Sequence, residues 1–347
     1  MAADRALKTM VGMMLVILLS VAAQQASSVL APLALALFII AIVWPVQRWL
    51  QARMPKLLAL AITIIVTISV CMAFASLAVW GFGRVGRSLV ADAGRYQALY
   101  NELIVWLEAR GFSLAEVWAD YFNVSWMLRV LQHLGGRINT ALTFWIVTLV
   151  YVLLGLLEVD DMRRKVEALR NPETARFLLT GAASAAAKFR RYMLVRTLMS
   201  ALTGLLVWVF AWATGLSFAA EWGVIAFVLN YIPFLGPFIA TLFPTLLAIV
   251  HFDTWQSALG VFVCLNVIQF VIGSYVEPRV AGNLLSISPT VVQFAIFFWT
   301  FLWGLFGTFI GVPMTIAILT ICGAHPSARW VADLLGRPPE EAIKQEA

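Results

Sequence analysis

Charge is the scarcest ingredient of this chain. Only 12% of its 347 residues are charged, about half the share of a soluble domain. Lysine is rarest, at Lys8, Lys56, Lys165, Lys188 and Lys344. None follows a glycine, so no phosphate-cradling loop ending in Gly-Lys-Ser/Thr can form, and nucleotide hydrolysis by that route is excluded. Cysteine occurs at positions 71, 264 and 322, with no Cys-x-x-Cys. That spacing offers neither a zinc knuckle nor a redox pair, and each thiol reads as a small buried hydrophobe. The histidines, His133, His251 and His325, are scattered. Without His-Glu-x-x-His or Gly-x-Ser-x-Gly, the zinc and serine hydrolase chemistries those motifs carry have no footing. Sustained strand alternation is also missing. The chain reads as a non-enzyme with no cofactor, and any work it does draws on an ion gradient, a solute gradient or a partner.

What is abundant is apolar sequence, at 62% of residues and a mean hydropathy of +0.90. A soluble fold cannot hide so much apolar surface, whereas a bilayer solvates it. The net charge of +6 does not point to nucleic acid, because the basic residues lie between apolar runs, as membrane orientation requires. Runs long enough to cross a bilayer lie near 9–26, 28–46, 57–80, 138–157, 198–216 and 255–276. Two longer stretches, 219–251 and 287–322, are interrupted by proline and glycine. The expectation is an all-α integral membrane protein of about six full spans, two broken helical hairpins and an amphipathic helical insert. Ala22–Ala26 passes as a signal-peptidase site, but a second apolar run, Val29 to Trp44, follows almost at once, which favours an uncleaved first span.

Basic residues set the expected orientation. Arg5 and Lys8, then Arg48, Arg53 and Lys56, then nine Arg or Lys between 158 and 197, then Arg329, Arg337 and Lys344 form four groups. All four fall on the cytoplasmic side if each broken hairpin returns to the face it left. The domain reading follows: 1–80, an N-terminal transmembrane hairpin and third span; 81–137, the insert; 138–197, a fourth span and basic cytoplasmic linker; 198–322, a transmembrane transport region; 323–347, a cytoplasmic tail. In the insert, Leu89, Tyr96, Leu99, Leu103, Ile104, Trp106 and Leu107 recur at helical spacing among charges. That pattern fits helices on the membrane surface or against a neighbouring subunit. Arg190, Arg191 and Arg196 end an Ala-rich helix, where they either meet anionic headgroups or only orient the chain.

The C-terminal third carries the informative breaks. Asn230-Tyr-Ile-Pro233-Phe-Leu-Gly236-Pro237 interrupts a helix inside apolar sequence. Backbone freed at membrane depth is tolerated where it lines a cavity or is buried in protein. The second break runs from Glu277, Pro278 and Arg279 through Gly282 and Asn283 to Pro289, then to Gly304, Gly307, Gly311 and Pro313. Gly236-Pro-Phe-Ile and Gly307-Thr-Phe-Ile are weakly alike, and paired interrupted segments are the sequence mark of a transporter site. Gly236, Gly307 and Gly311 are expected at turns or tight helix contacts. Glu277 either carries a proton or cation, or marks the end of a span beside Arg279. Gln269, with Asn266 beside it, and Gln293 either hydrogen-bond a polar solute or join helices. Glu221 and Asp253 read as solvated.

Three blocks now resemble a known family. Asn230-Tyr-Ile-Pro-x-x-Gly-Pro, Glu277-Pro-x-x-x-Gly-x-x-Leu-x-Ile-x-Pro289 and Gly304-x-x-Gly-x-x-x-Gly-x-Pro313 are similar to the signature blocks of the autoinducer-2 exporter family of bacterial membrane proteins. Ala31-Pro-Leu-Ala followed by Pro45 is similar to its N-terminal hairpin. Asn283 departs from the basic residue expected there in many relatives. The resemblance implies a multi-pass permease of the bacterial inner membrane with both termini cytoplasmic. It also implies a homo-oligomer, with a pentamer as the expected size, and a small-molecule or ion substrate. The functional expectation is a transporter of a small polar solute working by alternating access. The alternatives are a sodium–proton type antiporter using Glu277 and a non-transporting oligomeric membrane scaffold.

Overall fold

The computed structural model describes residues 2–91, 94, 95, 98, 105, 109, 138–252, 255–281, 287–325 and 328–336. The insert residues Tyr96, Leu99, Leu103, Ile104, Trp106 and Leu107 lie outside the described residues, as do Asp253, Gly282, Asn283 and the tail from Arg337. In chain order the helices are α1 (Ala2–Gln25), α2 (Ser27–Gln51), α3 (Lys56–Ala91), α4 (Ile138–Glu167) and α5 (Pro172–Ala213). There follow α6 (Ala219–Leu229), α7 (Leu235–Phe252), α8 (Trp255–Phe270), a π-helical turn (Val271–Val276), α9 (Glu277–Ala281), α10 (Pro289–Ala324) and α11 (Arg329–Leu335). Among the described residues no β-strand forms, and one antiparallel bridge joins Ile287 to Gly336. Among the described residues six apolar helices have the length to cross a membrane: α2, α3, α4, α5, the α8–α9 run and α10, the last of which is kinked at Trp303 and Gly304 and is not one straight crossing. The apolar part of α1 is shorter, Met10–Gln25. Large apolar side chains face outward along these helices, Leu15 and Ile17 on α1 and Phe294, Phe297 and Phe301 on α10 among them. A soluble surface does not carry such continuous apolar stripes, whereas a lipid-facing one does.

The expected basic linker is mostly helix. Only Ala168–Asn171 separate α4 from α5. Pro172 opens α5, and the Asn171 Oδ1 accepts from the amides of Glu173 (2.9 Å) and Thr174 (3.4 Å). Asn as cap and proline at the first helical position together start a helix cleanly. The Ala-rich segment and the following span are one unbroken helix of 42 residues.

Contacts divide the chain into two compact units. The first comprises Met1–Thr67, Phe144–Val195 and Ala281–Ala347. Its core sets Ala34, Leu35 and Phe38 of α2 against Phe189 of α5 and Ile310 of α10, with the Phe38 and Phe189 rings 4.4 Å apart. A second cluster joins Ala36, Leu60, Val152 and Leu156. Within this unit α10 is two legs. Trp303 (φ −131°, ψ 18°) and Gly304 (φ 60°, ψ −139°) leave helical geometry, and the Gly304 conformation is one that residues with a Cβ hardly reach. The legs then run back along each other. The Trp299 indole N–H donates to the Thr315 hydroxyl at 3.1 Å, and the Thr300 and Thr308 hydroxyls meet at 2.7 Å. Ser288 caps the first leg, its Oγ accepting from the Val291 amide, with Pro289 at the first position.

The second unit comprises Ile68–Thr143 and Arg196–Val280. Its core gathers Val207, Trp222, Ile225, Ala226, Ala240 and Leu247 among others. Here α6 and α7 form the other hairpin, reversed over Asn230–Phe234, with Phe234 at φ 61°. Across α5 and α6, Gly204 and Gly223 oppose each other. A Cβ on either would come within 2.8 Å of the other's carbonyl oxygen. Small residues let two backbones approach this closely, which is how helices pack in lipid, where the hydrophobic effect between them is absent.

Candidate functional site

One strip of α5 in the second unit collects polar partners from two other segments. Arg196, Thr197 and Ser200 lie within about a turn. The Arg196 Nη1 donates to both carboxylate oxygens of Glu277, at 2.8 and 3.0 Å. The Tyr231 hydroxyl donates to the Thr197 Oγ1 at 2.9 Å. The Asn230 Nδ2 donates to the Ser200 Oγ at 3.2 Å. Arg196 keeps 9% of its surface, Asn230 6% and Ser200 none. Isolated charges pay a heavy desolvation cost in such a place, and pairing offsets part of it.

Local sequence explains how Glu277 gets there. The six residues Val271–Val276 form a π-helical turn between α8 and α9. One extra residue per turn rotates everything downstream by about 100° around the helix axis. Glu277 is therefore not on the face that the α8 periodicity assigns it. Its partner is Arg196, not the neighbouring Arg279, which stacks on the Tyr275 ring at 3.6 Å. This replaces the picture of a Glu277–Arg279 pair ending a span.

Other readings are corrected too. Glu221 is not solvated: it retains 4% of its surface and binds Arg84 at 2.7 Å. Arg196 is committed to Glu277, and the Arg190 Nη1 donates to the Ala41 carbonyl at 2.9 Å, so of the three arginines only Arg191 is exposed. Asn266 turns its amide to its own helix, donating to the Phe262 carbonyl at 2.8 Å. Sequence pattern does not mark Arg196, Thr197, Ser200 or Tyr231 as site residues. Arg196 and Glu277 are 81 positions apart, and no local pattern links them.

The expected site residues fall into two groups. In the second unit, Asn230 sits on the α5 strip, while Pro233, Gly236 and Pro237 form the turn and first residues of α7, with Gly236 buried. Gln269 is half-buried at the end of α8, and Pro278 is exposed on α9. In the first unit, Pro289, Gln293, Gly304, Gly307, Gly311 and Pro313 all belong to α10. The three glycines expected at tight places are there. A Cβ at Gly236 overlaps the Leu229 carbonyl, one at Gly307 overlaps the Trp299 carbonyl, and one at Gly311 lies 3.0 Å from the Trp299 Cβ. The two hairpins thus share a device, a glycine pressed onto the last carbonyls of the incoming leg. Gly12, in α1, has open space around it.

Comparison with known proteins matches this architecture. The family model described as AI-2E family transporter covers residues 9–326. The AI-2 transport protein TqsA of Escherichia coli K12 is 30% identical, over 94% of this chain and 94% of its own. Two relatives described as candidate transport proteins also align. That of Haemophilus influenzae is 25% identical over 95% of this chain and 96% of its own. That of Borreliella burgdorferi is 33% identical over 50% of this chain and 48% of its own. A family model that spans nearly the whole chain and a relative 30% identical over 94% of it leave one conclusion: the chain is a multi-pass membrane protein that belongs to the AI-2E family of transporters.

Proposed function

We propose that this permease moves a small polar solute past the α5 strip, with the two hairpins as its gating elements. The observation that carries the reading is the convergence of Arg196, Thr197 and Ser200 with Glu277, Tyr231 and Asn230 on one stretch of α5, running from the buried Ser200 and Asn230 to the exposed Thr197. Polar groups at membrane depth are expensive and mark solute or ion paths. The tip of the α6–α7 hairpin is held to the strip by two side-chain hydrogen bonds, each worth about 1 kcal/mol. Links that weak open and close within a transport cycle. An ion gradient or the solute's own gradient supplies the energy. The setting is the bacterial inner membrane with both termini cytoplasmic, and the working unit is a homo-oligomer, a pentamer in the first instance. The transport region 198–322, with Arg196 and Thr197 at its border, carries the chemistry, while 1–80 and the insert serve as scaffold.

The test is reconstitution of the purified protein in liposomes with a screen of solutes and ions. AI-2, which appears in the name of the E. coli relative, comes first. Solute uptake that falls at least tenfold in Asn230→Leu supports the strip as the solute's station. Flux of a cation against protons, abolished in Glu277→Gln, moves the protein to the antiporter reading. No flux of any kind, with an intact oligomer, makes it a scaffold.

A further inference from the structure

We infer that the side-on edge of the Arg196 guanidinium, its Nε and Nη2, is a receptor for the oxyanion group of a ligand, a carboxylate or a phosphate. The inference deepens the proposed role of the α5 strip and rests on it. Glu277 uses the guanidinium in an unusual way. Both of its oxygens take the same nitrogen, Nη1. Arginine and carboxylate match best through two parallel N–H···O bonds along one edge of the fork, most favourably with one oxygen per nitrogen. Here that pairing is not made. Nε is buried without a hydrogen-bond partner, and among the described residues no group takes Nη2. Nη2 is not among the buried unpartnered atoms, so the surface that Arg196 keeps includes the corner where a ligand oxygen first arrives.

An unpaired donor on a charged group in so dry a place costs more than an ordinary hydrogen bond returns. In a protein built to hold Glu277 alone, the fork would be turned to satisfy two donors. The geometry fits a guanidinium shared between a resident carboxylate on one nitrogen and a visiting oxyanion on the adjacent edge. The hydroxyls of Thr197 and Tyr231 and the Asn230–Ser200 pair lie along the same strip. They are of the right kind for hydroxyl or carbonyl groups on the rest of the ligand. The favoured class is therefore a small hydroxylated carboxylate or phosphate, not a free cation. The oxyanion can come from a soluble solute or from an anionic lipid headgroup, since both present the same chemistry.

The experiment uses the full-length protein in nanodiscs of phosphatidylcholine, titrated with inorganic phosphate and with acetate, with binding read by calorimetry and thermal shift. A parallel set of discs contains phosphatidylglycerol. The expected result is phosphate or acetate binding that weakens at least tenfold in Arg196→Lys, which keeps the charge and loses the fork. Binding is expected to tighten at least threefold in Glu277→Gln, which releases the guanidinium. If soluble oxyanions do nothing but phosphatidylglycerol raises the melting temperature in the parent and not in Arg196→Lys, the site stands with a lipid as its ligand. Should Arg196→Lys fail to fold, the Glu277→Gln titration decides, and unchanged affinity there overturns the inference. Absence of any oxyanion or lipid effect in the parent overturns it as well. Continued liposome flux of an uncharged solute in that case leaves the proposed function intact, so the two ideas fail separately.

Discussion

The two broken hairpins reverse by a common device and are secured in opposite ways. In both, a glycine lies against the final carbonyls of the first leg, Gly236 on Leu229 and Gly307 on Trp299. In both, one residue of the turn takes a positive φ, Phe234 at 61° and Gly304 at 60°. The α10 hairpin then ties its own legs together through Thr300–Thr308 and Trp299–Thr315. Its tip is anchored to α1, with the Trp303 indole N–H donating to the Ala23 carbonyl at 3.1 Å and the Gln24 amide donating to the Phe301 carbonyl at 3.3 Å. The α6–α7 tip instead holds on to other helices through its side chains, Asn230 to Ser200, Tyr231 to Thr197, and the Tyr231 ring edge-on to Phe74 of α3. A hairpin laced to itself moves as one piece. A hairpin laced to its neighbour can let go.

The largest expected effects come from the shared device. Gly307→Ala and Gly236→Ala each force a Cβ into a carbonyl and should cost about 3 kcal/mol or more. Melting in detergent, with Gly12→Ala as an unaffected control, measures this. If Gly236→Ala is tolerated while Gly307→Ala is not, the α6–α7 turn is the more plastic, and the comparison sharpens. Equal tolerance of both breaks it.

Next comes the ion pair. Glu277→Leu leaves Arg196 charged and unpaired, and should destabilise by about 2–3 kcal/mol, below the cost for a fully buried pair because Glu277 retains some exposure. The double variant Arg196→Met with Glu277→Leu should recover most of that loss, since an apolar pair replaces an ionic one at little cost. Urea or thermal unfolding of the single and double variants closes the cycle, and additive losses would falsify the pairing.

Smaller effects separate the two tips. Thr308→Val and Ser200→Ala each remove one hydrogen-bonding hydroxyl, worth about 1 kcal/mol. The first should lower stability with flux unchanged. The second should lower stability by a similar amount and also change flux. Identical behaviour of the two would mean that neither tip is specially poised to open. Asn266→Leu, which removes only a bond to its own helix, should stay within about 0.5 kcal/mol of the parent in the same assay.

Proline and glycine make the hairpins legible in the sequence itself. Pro233, Gly236 and Pro237 signal a break in apolar sequence, and the 304–307–311 glycines signal a second, with Gly304 at the turn and Gly307 and Gly311 on the return leg. The all-α membrane architecture is legible from apolar runs alone. The α5 strip is not. Thr197, Ser200 and Tyr231 are ordinary residues for a span, and their meaning depends on a fold that brings distant positions together. Glu277 stands out as an ionisable residue at the end of an apolar run, but its partner stays hidden, because the π-helical turn breaks the periodicity that would predict its face. Glu221 misleads for a similar reason. Its place near a segment end implies solvent, yet α3 runs on to Ala91 and carries Arg84 to it.

The opposed glycines at 204 and 223 have a mechanical consequence. The Phe227 Cβ fills the notch at Gly204 and the Trp208 Cβ the notch at Gly223, so α5 and α6 are keyed to each other at one close point, a pivot and not a sliding surface. Asn230 stands seven residues beyond Gly223, an arm of about 10 Å along the helix. Tilting α6 by about 10° at that point swings its tip by about 2 Å, enough to carry Asn230 out of hydrogen-bonding range of Ser200. On the proposed function, the smallest residues in the second unit would thus set the pivot about which its hairpin rocks.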